Sequence, residues 1–119
     1  MKAVLCKEFG DPESLSLEEV PAPEPKAGEV LLDVHACGLN FPDVLMIQGK
    51  YQSQPPFPFA PGGEVAGTVA ARGEGVTEVQ VGDRVFAGIG FGGFAEQVAV
   101  KARALRQVLD TMTLQQAAG

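Results

Sequence analysis

Three side chains near the middle of the chain have the types and spacing for polar chemistry: Asn40, Asp43 and Tyr51. A carboxamide offers donors and an acceptor, a carboxylate accepts, and a phenol donates a hydrogen bond and can protonate a group beside a carbonyl. Each also has a plain structural reading. In Asn40-Phe41-Pro42-Asp43 the Asn side chain can cap a helix, Pro sits in the first turn where its missing N–H does no harm, and an acidic residue stands at the third helical position. Tyr51 is the only tyrosine in the chain and, taken alone, reads as a packing residue. Cap and cleft group both stand as readings of Asn40 and Asp43.

Metal and nucleotide chemistry are less well supplied. The chain has one His and two Cys. His35 and Cys37 share a strand face, but a third ligand would have to be a carboxylate from elsewhere, so His35 reads as a surface strand residue. Gly88-Ile89-Gly90-Phe91-Gly92-Gly93 matches the spacing G-x-G-x-x-G. In a dinucleotide-binding unit that spacing follows a strand and opens a helix. Here Phe94–Val100 alternates as another strand, so the glycines are expected to turn the chain between two strands.

The elements that must position these groups are mostly strands. In Val30–Cys37 the residues Val30, Leu32, Val34 and Ala36 share one face, and Leu31, Asp33, His35 and Cys37 share the other. Similar runs occur at Ala3–Cys6, Leu15–Val20, Val65–Ala71, Arg84–Ile89 and Phe94–Val100, each bounded by turn residues. Such a series predicts an antiparallel barrel or sandwich. Two short helices interrupt it, one over Phe41–Gln48 ending at Gly49, and one starting at Thr113, where Gln116 completes a capping box. Pro21–Pro25 and Pro55–Gly63 read as extended connectors, the second anchored by Phe57 and Phe59.

Composition bounds the whole. With 119 residues, 45% of them hydrophobic, the chain has material for one core and too little length for two domains of ordinary size. Gly (15) and Pro (9) make up about a fifth, well above average, which fits many turns. A formal net charge of −6 argues against nucleic-acid and anionic-membrane partners, which demand a basic patch. Two cysteines are too few for a disulfide framework, the N-terminal residues lack the apolar run of a signal peptide, and no segment reaches transmembrane length. A cytoplasmic location is the expectation.

Taken in order, Ala36-Cys37-Gly38-Leu39-Asn40-Phe41-Pro42-Asp43, Gln48-Gly49-Lys50-Tyr51, Pro58–Gly67, Val81-Gly82-Asp83-Arg84-Val85 and Gly93-Phe94-Ala95-Glu96 resemble the medium-chain dehydrogenase/reductase superfamily. The closest branch is the zinc-free NADPH:quinone oxidoreductases of the zeta-crystallin type. The resemblance implies a mostly β, GroES-like bent barrel with short helices, residues 1–112 being the catalytic domain and 113–119 the start of a helix leading to a Rossmann domain absent from this chain. It also implies that neither catalytic nor structural zinc is present. Asn40 stands where zinc-dependent members carry a Cys ligand, Gly63 where they carry His, and the structural zinc lobe that would fall between Phe86 and Gly92 is missing.

By the same resemblance Asn40 and Asp43 lie near the nicotinamide of NADPH, Tyr51 lines the substrate side, and Pro61 and Gly62 form part of the cleft wall, with Tyr51 and Asn40 as the catalytic candidates. Leu45 and Ile47 depart from the quinone-reductase pattern, which often has Tyr and Arg there. Ile47-Gln48-Gly49-Lys50-Tyr51 is similar to the 2-enoyl thioester reductases, whose tyrosine supplies a proton. The implied function is hydride transfer to a small-molecule quinone or enone, with the chain inactive alone. A 2-enoyl thioester reductase domain and a truncated, non-enzymatic binding or assembly module are the alternatives. The surface left bare by the missing domain, including the region of Leu114, is expected to drive self-association.

Overall fold

Alternation places the strands much as the sequence predicts, and the computed structural model describes residues 1–51, 54–108 and 112–118. In chain order they form β1 (Lys2–Leu5), β2 (Ser16–Glu19), β3 (Glu29–Gly38), α1 (Phe41–Ile47), β4 (Glu64–Arg72), β5 (Arg84–Gly88), β6 (Gln97–Lys101), β7 (Arg106–Gln107) and α2 (Leu114–Ala118). Five strands join in the order β6-β3-β4-β5-β7, every neighbouring pair antiparallel. The β1–β2 ladder is attached at the β6 end: Ala3 bridges Ala95, and the Val4 amide donates to the Phe94 carbonyl. The result is a mostly β, bent barrel with short helices.

The inward side chains explain why the sheet curls. Val30 and Leu32 of β3, Val65 and Val69 of β4, Val85 and Ala87 of β5, and Val100 of β6 form one buried cluster, closed by Val76, Val79, Ala102 and Leu105 from the connections. β-Branched residues dominate it, as suits packed strands. A smaller cluster of Cys6, Met46, Ile47 and Phe59 fastens α1 to the barrel. Phe59 is thus the anchor expected in the proline-rich loop, whereas Phe57 stays 43% exposed, edge-on to Phe9 with ring centroids 4.8 Å apart.

Two register shifts modify the alternation. Between β3 and β4 the pairing steps from Leu31–Ala71 to Leu32–Val69 and from Val34–Gly67 to Ala36–Ala66, so His35 is an extra residue on β3. A bulge of this kind reverses the face of every residue after it. Cys37, rather than Ala36, therefore packs with Val34 against the main cluster, and His35 is exposed. The expected His35–Cys37 face pair does not exist, because the bulge lies between its members.

The helices follow their predicted ends. α1 stops before Gly49, which takes a φ of 75°. At α2 the Gln116 amide donates to Thr113 Oγ1 at 3.0 Å and the Thr113 amide to Gln116 Oε1 at 2.8 Å, the reciprocal box the sequence predicts. The bare surface expected near Leu114 is not found there: α2 packs on β3, β4 and β5, leaving Leu114 half-buried and Ala118 buried. Leu39 and Phe41, 72% and 68% exposed, are among the large apolar side chains laid open, as are Leu17 and Val81.

Leu32 has no exposed surface. Leu32→Ala is expected to lower the unfolding free energy by about 3 kcal/mol, read from urea denaturation as a lower midpoint with an unchanged slope.

Candidate functional site

Helix α1 is fixed at three places, and each follows from a local property of its sequence. Met46 and Ile47 bury its apolar side against Cys6 and Phe59. The Gly10 amide donates to the Ile47 carbonyl at 2.8 Å and holds its end. Its start is held by Asp43, which is buried at 4% exposure. Asp43 Oδ2 accepts the Asn40 amide at 2.9 Å, and Oδ1 accepts the Gly62 amide at 3.2 Å. One carboxylate thereby caps the helix and staples the Pro61–Gly63 loop to it, and a buried acidic group needs such partners.

Both readings of Asn40 hold together in this arrangement. Asn40 and Asp43 form a capping box at the start of α1, in which Asp43 Oδ2 accepts the Asn40 amide. Asn40 is exposed and lines a cleft of about 620 Å³ together with Pro42, Asp43, Met46, Tyr51, Gly63, Glu64, Gly88, Ile89, Gly90 and Phe91. Tyr51, 36% exposed, stands in the same cleft just beyond the end of α1. The carboxamide and the phenol that the sequence singled out therefore share one cavity, whose charged side chains are the carboxylates of Asp43 and Glu64.

The back of the cleft is made by two irregular segments joined through their backbones. The amides of Ile89, Gly92, Gly93 and Phe94 donate to the carbonyls of Gly63, Ala60, Gly62 and Pro61. Pro61 and Gly62 are buried within this wall, and Gly63 and Glu64 are the residues of the segment that line the cleft. Behind them sits Cys37. A Cβ on Gly62 would lie 2.7 Å from Cys37 Sγ, and one on Gly93 2.6 Å, so both positions need glycine for close approach. Burial, with the carboxylates of Asp43 and then Glu64 nearby, pushes the Cys37 thiol up to about 11.

The glycine run behaves as its context implies: no helix follows Gly93, and the chain passes into β6. Among the described residues no group of three or more His, Cys, Asp or Glu side chains converges as a metal site would need. No helix among them is long and apolar enough to cross a membrane. Sequence reasoning did not single out Glu64 or Phe91 as lining residues. The one available signal was an aromatic residue set between Gly90 and Gly92 in a loop.

Residues 26–110 match the family described as the alcohol dehydrogenase GroES-like domain. Over 118 residues the chain is 42% identical to mouse quinone oxidoreductase-like protein 2, covering 98% of this chain and 33% of that protein. Among solved structures, the human synaptic vesicle membrane protein VAT-1 homolog-like protein superposes with a TM-score of 0.95 at 37% identity, covering 99% of this chain and 38% of the other. The quinone oxidoreductase of Thermus thermophilus, studied also as its complex with NADPH, gives 0.84 at 41% identity, covering 99% and 36%. The chain spans about a third of the length of the relatives it matches.

Asp43→Asn keeps the size of the side chain but turns an NH₂ toward one of two amide donors. It is expected to cost roughly 1–3 kcal/mol and to speed hydrogen exchange at the Asn40 and Gly62 amides more than at Leu32. A second expectation concerns Cys37. Its thiol stays protonated near neutral pH, so iodoacetamide should modify it at a rate roughly a hundredfold below that of an unperturbed cysteine, given a shift from 9.0 to about 11. Peptide mapping after alkylation at increasing pH should show the rate climbing until about pH 11.

Proposed function

Because this chain belongs to the alcohol dehydrogenase GroES-like domain family, in its quinone oxidoreductase branch, we propose that it is the substrate-side domain of an NADPH-dependent oxidoreductase reducing a quinone or another α,β-unsaturated carbonyl compound. The observation that carries this reading is the convergence of Asn40 and Tyr51 on one cleft beside the apolar side chains of Met46, Ile89 and Phe91. Residues 1–112 act as the catalytic domain, and 113–119 begin the helix leading toward a cofactor-binding domain. The two free cysteines, Cys6 and Cys37, agree with the reducing conditions of the cytoplasm.

The residues present fit the nicotinamide end of NADPH. Asn40 lines the cleft with a carboxamide whose NH₂ can donate to another carboxamide, and the apolar wall offers a face for a planar ring. They do not fit its phosphates: the cleft holds carboxylates and no Lys or Arg, and no glycine turn opens a helix after a strand among the described residues. When bound, NADPH supplies the hydride.

The chain's own groups orient the acceptor and meet the charge that develops on it. Tyr51 donates a hydrogen bond to the acceptor's carbonyl oxygen, which gains negative charge as hydride arrives, and the phenol or water then delivers the proton that completes the product. Asp43 acts at one remove, by holding Asn40 and the Gly62 loop in place. Zinc has no part in this reading: by the resemblance, Asn40 and Gly63 stand where the zinc-dependent branch carries its Cys and His ligands.

The Tyr51 phenol also supports a second reading, reduction of a 2-enoyl thioester, in which a protein group must protonate carbon. A fusion of this chain to the cofactor-binding remainder of a quinone oxidoreductase relative tests both. NADPH oxidation is expected with the fusion and not with the 119-residue chain alone; no turnover by the fusion with either substrate class would overturn the proposal. Tyr51→Phe in the fusion should lower kcat with a quinone less than about tenfold, because water can protonate oxygen. With an enoyl thioester the loss should be about a hundredfold or more.

A further inference from the structure

The cleft is not the largest concavity of the chain. A groove of about 710 Å³ runs along β6 between that strand and the β1–β2 ladder, lined chiefly by apolar side chains that include Ala3, Leu5, Val20, Pro23, Val98 and Ala99. The cleft and the groove have Gly88, Ile89 and Phe91 in common as lining. Phe91 is 43% exposed and is braced edge-on by the buried ring of Phe59, with centroids 6.2 Å apart and planes at 79°. Ile89 and Phe91 therefore border both cavities, the cleft and the apolar groove.

From this shared border we propose that the substrate is a conjugated carbonyl compound bearing a linear hydrocarbon tail, with its head group between Asn40 and Tyr51 and its tail laid over Phe91 into the β1–β6 groove. The proposal rests on the oxidoreductase reading of the cleft and adds the chemical class of the substrate. Head and tail meet surfaces of matching character: the polar groups of the cleft belong to Asn40, Asp43, Tyr51 and Glu64, whereas the groove is lined mainly by apolar side chains, with Glu29 and Lys101 among its charged residues. Each methylene removed from water along such a surface adds severalfold to affinity. Asn40 lines the cleft and not the groove, so a tail placed in the groove leaves Asn40 free for the nicotinamide.

The test is a site-resolved titration of the 119-residue chain, followed through its backbone amide resonances. The probes are tetramethyl benzoquinone and its homologue in which a decyl chain replaces one methyl; both are fully substituted and so do not add to thiols. The methyl compound is expected to move the amides of Gly63 and Gly90 only. The decyl compound should move these and the amides of Val20 and Ala99, and bind roughly tenfold tighter or more.

Val20→Asp, with Ala99→Asp as a second variant should the first not fold, is expected to bring the decyl compound to the affinity of the methyl one and leave the latter unchanged. Equal affinities of the two probes in the wild-type chain, or a decyl compound that shifts cleft amides alone, would overturn the tail assignment and leave the cleft reading intact. Groove shifts without cleft shifts would overturn the placing of head and tail across the two cavities. Failure of both probes to shift the cleft amides would overturn the quinone reading itself. Loss of the groove resonances with rising protein concentration, before any probe is added, would show the groove to be filled by a second copy and likewise overturn the proposal.

Discussion

One buried carboxylate coordinates the parts of this domain that are not strand. Asp43 accepts the Asn40 amide with one oxygen and the Gly62 amide with the other, so the start of α1 and the Pro61–Gly63 loop cannot move independently. The loop in turn is joined by backbone hydrogen bonds to the segment 89–94, which carries Phe91. The cleft is therefore bounded in part by irregular backbone that Asp43 and these backbone bonds together hold in place. A neutral substitute with one acceptor leaves one of two amides unpaired in a buried site, where an unmade hydrogen bond costs more than a made one contributes.

The same carboxylate links local capping to distant packing. A helix start leaves backbone amides without partners, and Asn and Asp can both supply the missing acceptor. At α1 Asn40 and Asp43 form a capping box, and Asp43 also accepts the Gly62 amide from a distant part of the chain. At α2 Thr113 and Gln116 satisfy each other's amides reciprocally. Similar cap chemistry thus closes both helices, and at α1 it ties the helix to a loop as well.

What could be read from the sequence divides along the same line between local and distant causes. The ends of α1 and α2, the alternating strands and the failure of the glycine run to open a helix are set by residues within a few positions of one another. The His35 bulge is not, since period-two alternation carries no mark of an extra residue until the partner strand imposes its register. Strand β7, two residues long, exists through its pairing with Val85 and Phe86. Asn40 and Tyr51 were recognisable by chemical type, but Glu64 and Phe91 join them through the convergence of β4 and the glycine loop. Pro61 and Gly62 are buried within the wall because the Ile89–Phe94 backbone bonds draw their loop inward.

The exposed side of the cleft carries its own argument about how such a domain works. Leu39 and Phe41 flank Asn40 in the sequence and leave most of their surface in water, as Leu17 and Val81 do elsewhere. Reduction of a conjugated carbonyl compound is favoured by a site from which water is excluded, because dipoles act more strongly there and the acceptor meets fewer competing proton sources. On the proposed reading, an open cleft near two exposed apolar residues is half of such a site. On that reading, a cofactor-bearing domain seated on Leu39 and Phe41 would remove their apolar surface from water and dry the space before Asn40 and Tyr51 in one step. Docking and catalysis would then draw on the same few residues. Polar groups alone could not achieve this, since they would bind water in the open state and would have to release it on closure.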